Sequence, residues 1–330
     1  MSKKTIGLVG FFGWGNFGDE LFVETYRHWL GQDFELRVLN DLTAKPYFSR
    51  PLDEVLEGVD AIVIGGGDLV MPWTVSELYW KAEYLRLPVF VVGVGVPTWK
   101  GANAAAIQRQ ATFFQHPNVR LVEARDRESA DWITKHLQPK VEVAASADIV
   151  FALPMPKATR STDKPLLGVV TRDRKGEPDD LTNIRALCAK ALDLGFGVRH
   201  LVLGVGDVGR RDLERAVDLD VPGKEVLASE SLWDLCRGIG ECHALASMKF
   251  HGTVVAVAYG VPSLVLSPTD KSRNLMRMIE RPELVSSIAD RKLADRFSPY
   301  MASVPSTTRR MLKQRAERTM TTLRGMLAAL

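Results

Sequence analysis

CHALASMKFHGTVVAVAYGVPSLVLSPTDK, residues 242–271, decides how the chain is read. It opens as a short apolar strand and passes through a compact polar cluster. A run of Ala and Val from about Thr253 to Tyr259 then predicts a helix buried on every side. A Gly-Val-Pro turn leads to a second strand over Ser263–Leu266, and Lys271 follows. Lys249 and His251 stand just ahead of the helix that Gly252 opens. The first N–H groups of a helix lack partners and carry the positive end of its dipole, so this start suits an anion. Lys271, expected in a loop, is placed to swing to the same point. Together the three read as holders of a small anion, with the imidazole as a proton source.

The same alternation extends outward. Strands are expected at Leu166–Val170, ending in Thr171-Arg172-Asp173, at Val198–Leu203 and at Glu225–Leu227, with helices over Asp179–Leu194, up to Val217, and over Ser231–Ile239. Upstream, Thr5–Gly10 is a buried strand running into GFFGWGNFGDE, residues 10–20, and a helix over Glu20–Leu30. Strands follow at Phe34–Leu39 and at Val59–Ile64, which ends in GGGDLV, residues 65–70. Beyond a helix from near Ser76 comes strand Pro88–Val92, ending in GVGVP, residues 93–97. Helix Ala102–Phe114, strand Val119–Glu123, a helix entered through ARDRES with Asp126 as its cap, and strand Val141–Ala144 complete the first half. ADIVFALP, residues 147–154, carries Asp148 before an apolar run and so predicts a buried, hydrogen-bonded carboxylate.

Residues 155–164, MPKATRSTDK, read as a linker. The expectation is an α/β protein of two Rossmann-like domains with parallel sheets facing a cleft. The boundaries are 1–154, linker 155–164, 165–304, and a long C-terminal helix over 305–330. That helix carries Arg309, Arg310, Lys313, Arg315, Arg318 and Arg324, with an apolar stripe of Met311, Met320, Leu323, Met326 and Leu327. It reads as a strap across the domain junction or, alternatively, as a peripheral contact with anionic lipid at the inner membrane face.

Composition narrows the class. Of 330 residues, 46% are hydrophobic and 25% charged, as in a soluble globular protein. A net charge of only +3 gives no argument for nucleic acid. Three scattered cysteines make no disulfide framework and suit a cytoplasmic location. The apolar N-terminus is broken by glycines and by Asn16, Asp19 and Glu20, so it reads as a first strand and not as a signal peptide. The loop after it lacks the Walker lysine, so it is either a ligand cradle or a tight turn. Trp80 reads as core; Trp73 is the better candidate for stacking on a sugar. Cys236, Cys242 and His243 are too poorly spaced for a metal site, so buried thiols are the preferred account and no metal is expected.

The ordered blocks GFFGWGNFGDE, GGGDLV, GVGVP, ARDRESA, ADIVF and MKFHGTVVAVAYGVPSLVLSPTDK resemble the polysaccharide pyruvyl transferase family, from Ile6 to about Ile279. The resemblance implies a GT-B-like enzyme that takes pyruvate from phosphoenolpyruvate, with no cofactor, and places it as a ketal across two hydroxyls of a sugar, free or lipid-linked. It also implies His251 as the acid and Arg172, Lys249, Lys271 and Gly252 as donor-binding residues. The acceptor falls to the first domain, with Gly15, Asn16, Glu20, Asp68 and Trp73 as candidates. Asp19 is either the general base or the cap of the helix beside it. The family's usual Arg-x-His is Lys249-Phe250-His251 here, which replaces a planar fork with a point charge. Two other readings remain. A nucleotide-sugar glycosyltransferase of the same architecture would need a ribose-binding acid such as Glu230 or Asp234, or a metal–nucleotide motif such as Asp218-Leu-Asp220. A non-catalytic anion- or glycan-binding relative is the other.

Overall fold

The computed structural model describes residues 3–172 and 181–330. By internal contacts the chain divides into two units. One comprises Met1–Trp14, Asp19–Leu153 and Leu312–Leu330; the other comprises Gly15–Gly18 and Pro154–Met311.

In the first unit, short unbroken apolar runs become strands covered on both faces, as a parallel sheet demands. The elements are β1 (Thr5–Val9), α1 (Phe17–Leu30), β2 (Glu35–Val38), α2 (Leu52–Val55), β3 (Ala61–Gly67), β4 (Val89–Val94), α3 (Ala104–Phe114), β5 (Val119–Ala124), α4 (Arg127–His136) and β6 (Val143–Ala145). The sheet is parallel throughout, in the order β2-β1-β3-β4-β5-β6. Strand order reverses between β1 and β3, and ligands of open α/β sheets lie beyond the carboxyl ends at such a point.

In the second unit, β7 (Leu166–Val170), α5 (Thr182–Asp193), β8 (Gly197–Leu201), α6 (Gly206–Asp218), β9 (Glu225–Leu227), α7 (Leu232–Gly240), β10 (Ala244–Ser247), α8 (Phe250–Tyr259), β11 (Ser263–Val265) and α9 (Asp270–Met278) follow in turn. Its parallel sheet has the order β11-β10-β7-β8-β9. Here the reversal falls between β7 and β10. The last helix, α10, spans Ser306–Ala328. From Leu312 onward it belongs to the first unit, where Thr319 bonds Glu123 and Ser146, and Arg324 pairs with Asp33 at 2.6 Å. Met320, Leu323 and Leu327 of the expected stripe are buried, joined by Leu312 and Ala316. Among the described residues no helix is long and apolar enough to cross a membrane.

Four expectations are corrected. There is no α-helix from Ser76; turns lead to a 3-10 helix at Ala82–Arg86. Leu78, Tyr79 and Trp80 are all buried, and three consecutive residues cannot share one helical face. Helix α1 begins at Phe17 because Phe17 and Leu21, one turn apart, are both buried, so Asp19 sits inside the first turn and is not its cap. Helix α8 begins at Phe250, which puts His251 within its first turn and Lys249 at its N-cap position. Lys271 lies on α9 and not in a loop: Thr269 precedes that helix in extended conformation, and its hydroxyl bonds Ser272 at 2.9 Å. The expected start of the second domain's first helix at Asp179, and Asp173 after its first strand, lie outside the described residues.

Candidate active site

The strand order of the second unit assembles the cations. Strands β7, β10 and β11 are neighbours, and their carboxyl ends lead to Arg172, to Lys249 with His251, and to Lys271. Residues far apart in sequence therefore lie along one sheet edge, and the first two groups flank the reversal.

The turn that carries His251 is tightly built. The Ser247 hydroxyl accepts from the Lys249 N–H at 3.1 Å and donates to the Lys249 carbonyl at 2.7 Å. A Cβ on Gly252 would stand 2.5 Å from that hydroxyl and 3.0 Å from Leu203, so the turn has room for glycine alone. Gly252 thus sets how closely α8 approaches β10. The His251 imidazole lies against Gly18, where a Cβ would fall 1.8 Å from Nδ1. Its ring also meets Phe250 edge-on, with centroids 5.1 Å apart. Lys271 holds its ammonium 5.4 Å from the centre of the same Phe250 ring. Phe250 is thus the common neighbour of His251 and Lys271.

Lys249 differs from the expected loose cation. Its ammonium donates to the Leu203 carbonyl at 2.7 Å and pairs with Asp212, with both side chains almost buried. A buried lysine requires such a partner, because the isolated charge would cost several kcal/mol of desolvation, of order 3–5. Asp212 carries no visible signal in the charged run RRDLERAVD; only the fold shows it to be a buried counterion.

The glycine-rich loop also differs from expectation. Gly15 and Asn16, anticipated on the acceptor side, pair with the segment after β8. The Val205 N–H donates to the Gly15 carbonyl at 2.9 Å, and Asn16 bridges Gly204 in antiparallel fashion. Gly15 has φ +85°, and a Cβ there would meet the Val205 carbonyl at 2.2 Å, so glycine is required twice over. The loop's task includes seating the imidazole.

In the first unit, Glu20 accepts from the Gly13 N–H at 2.9 Å and so closes the loop on itself. Asp19 is buried, with its carboxylate about an ordinary van der Waals contact from where a Gly67 Cβ would be. Burial, aided by the charge of Asp19, holds the Tyr79 phenol proton more tightly than usual. Asp68, half-buried, pairs with Arg125. Arg125 is enclosed, 3.7 Å from Asp126, and lies where a Gly95 side chain would be. Burial alone would loosen its proton; the charges of Asp68, Asp126 and Asp148 outweigh that and hold it more firmly than usual. Asp126 caps α4 through the Ser129 N–H at 2.8 Å, and Asp148 is buried and accepts from the Val150 N–H at 3.1 Å, both as expected from sequence. Trp73 pairs with Trp99, whereas Trp80 packs in the core on Phe113 and Phe114. The thiols of Cys188, Cys236 and Cys242 are buried and pushed up to about 12 by that burial, which makes them inert.

This geometry, a cationic sheet edge with an imidazole in the first turn of a buried helix, lies, apart from Lys271, within the span of one family model, polysaccharide pyruvyl transferase, which matches residues 16–270. The chain belongs to the polysaccharide pyruvyl transferase family. None of the curated proteins matches the sequence. Solved structures share the fold of this pyruvyl transferase family member at low identity. The S. aureus MnaA–UDP structure is 11% identical with a TM-score of 0.64, covering 100% of this chain and 98% of that one. The UDP-GlcNAc 2-epimerase from Neisseria meningitidis is 14% identical with a TM-score of 0.54, covering 97% and 99%. The glycosyltransferase SnogD from Streptomyces nogalater is 12% identical with a TM-score of 0.52, covering 99% and 100%. The architecture is therefore GT-B-like, with epimerases and glycosyltransferases as structural neighbours.

Proposed function

We propose that the protein transfers pyruvate from phosphoenolpyruvate to two hydroxyls of a sugar, closing a cyclic ketal and releasing phosphate. The observation that carries this reading is the seat of His251: an imidazole in the first turn of α8, at the strand-order reversal, wedged against Gly18 and sharing Phe250 with Lys271. An enol phosphate needs a proton on its methylene carbon and cations on its phosphate and carboxylate. His251 is assigned the part of proton donor to that carbon.

Protonation leaves C2 oxocarbenium-like. One sugar hydroxyl adds there and gives up its proton to Asp19, which releases it to water as the imidazole is reprotonated. The C2–O bond to phosphate then breaks, the second hydroxyl adds, and its proton leaves with the phosphate. Arg172 and Lys271 are assigned to the donor's anionic groups, where they stabilise the departing charge. Lys249 is assigned a positioning part, since its charge is engaged by Asp212 and its backbone makes the turn below His251. Asp19 and Asp68 of the first unit are assigned to the acceptor hydroxyls, with Asp19 as the base.

The test is mass spectrometry of a panel of glycosides incubated with phosphoenolpyruvate, together with an assay for free phosphate. The expected result is a gain of pyruvate less water on one or more acceptors, matched by phosphate. Consumption of UDP-sugars in place of phosphoenolpyruvate, or no transfer to any acceptor, overturns the reading.

A further inference from the structure

The carboxyl edge of the first unit's sheet carries a feature that the proposed chemistry does not use. Trp99 is 61% exposed, although six other tryptophans and a large core are available to the chain. Its ring centre lies 5.3 Å from that of Trp73, with the planes inclined by 56°. The Lys100 ammonium stands 4.8 Å from the centre of the Trp99 ring and 5.6 Å from that of Trp73.

The two rings come from different segments, one following β3 and the other β4, and those segments are fastened together. The Gly95 N–H donates to the Gly67 carbonyl at 2.8 Å, the Asn103 N–H to the Pro72 carbonyl at 2.9 Å, and the Gln110 side-chain amide to the Met71 carbonyl at 2.8 Å. The backbones that carry the two rings are thus fixed relative to each other, which lowers the cost of ordering the pair on a ligand. Indole presents a broad, stiff, amphipathic face that suits the C–H face of a pyranose. The ammonium beside it offers donors to the sugar's oxygens. Asp68, on the same sheet edge, adds a carboxylate acceptor.

We infer that Trp73, Trp99 and Lys100 form a saccharide subsite that takes a sugar next to the one that reacts. This rests on the pyruvyl transfer reading and assigns the grip on the neighbouring sugar to these three residues.

The experiment uses the full chain on an array of bacterial polysaccharides and their mono- to tetrasaccharide fragments, with wild type, Trp99→Ala, Trp73→Ala and Lys100→Ala compared. Glycans retained by wild type are then assayed for pyruvate gain from phosphoenolpyruvate. The expected result is retention of fragments of two or more sugars and, for those, binding roughly tenfold or more weaker in Trp99→Ala, as for loss of a central aromatic contact. A matching rise in KM at little-changed kcat is also expected. Equal binding by wild type and Trp99→Ala, or no glycan retained, overturns the inference. So does capture of wild type but not Trp99→Ala by vesicles of phosphatidylcholine and phosphatidylglycerol without glycan, which assigns the pair to a membrane surface. Glycan binding that depends on Trp99 but yields no pyruvate gain keeps the subsite and removes the transfer reaction instead, so the two readings fail separately.

Discussion

At the carboxyl ends of β3 and β5, the first unit surrounds one enclosed guanidinium, Arg125, with the carboxylates of Asp68, Asp126 and Asp148. At the ends of β7, β10 and β11, the second unit places Arg172, Lys249, Lys271 and an imidazole, with Asp212 paired to Lys249. The two edges are built on the same βα plan and carry opposite charge excess. On the proposed reading, an anionic donor belongs at the second and neutral acceptor hydroxyls at the first, so that one architecture, used twice, would sort its ligands by charge.

The largest effect expected is at the second edge. His251→Gln is expected to lower phosphate release by about 10²–10⁴-fold, the usual worth of a positioned acid, while phosphoenolpyruvate still raises the melting temperature. Normal turnover in that variant breaks the comparison, since the second edge would then be a binding surface only.

Next come the buried charges. Asp212→Asn strips Lys249 of its counterion and is expected to cost about 3–5 kcal/mol in urea unfolding; adding Lys249→Met should recover most of it. Asp68→Asn at the first edge is expected to cost about 1 kcal/mol, because Asp126 and Asp148 still answer Arg125. Equal losses at the two sites would erase the contrast.

A third test reads pH. His200 is buried in the second unit, 2.9 Å from the Thr171 hydroxyl, and burial, with a smaller contribution from Lys224, pushes its pKa down to about 4. The unfolded chain takes up this proton near pH 6.5, whereas the folded chain does so only near 4. Stability from this group is therefore complete above 6.5 and falls as pH drops through that window, by roughly 3 kcal/mol. Urea midpoints at pH 7 and 4.5 should show the fall, and His200→Gln should flatten it.

The last test, read in rate and not in stability, sharpens the role of Gly18. In Gly18→Ala the new methyl meets the imidazole, which must move by an ångström or more. A loss in kcat of about 10²-fold is expected, with the urea midpoint little changed. An unchanged rate would mean that the loop packs beside His251 without placing it.

Much of the architecture was legible along the chain. Unbroken apolar runs such as Ala61–Ile64 and Val89–Val92 have no polar face to show water, so they had to be strands inside a parallel sheet. The cap at Asp126 and the buried, hydrogen-bonded carboxylate of Asp148 were legible too, since a short acid before a helical turn has a donor two or three residues on. The helix from Ser76 was misread because local pattern says nothing about which of three adjacent aromatic or aliphatic residues the core will claim. Of the site, His251 and the cations were named by their blocks, but the engagement of Lys249 was not: its counterion Asp212 lies on α6, and nothing in RRDLERAVD distinguishes the one acid that faces inward.

By itself, the sequence determined the alternation of strand and helix, the two parallel sheets, and the residue types that reach their carboxyl ends, because apolar periodicity and glycine placement act over a few residues. Tertiary structure alone decided which strand ends become neighbours, that Gly18 lies under His251, and that Lys249 is answered while Lys271 leans on Phe250. Those outcomes depend on strand order and on where charge loses water, and both arise only when distant segments pack together.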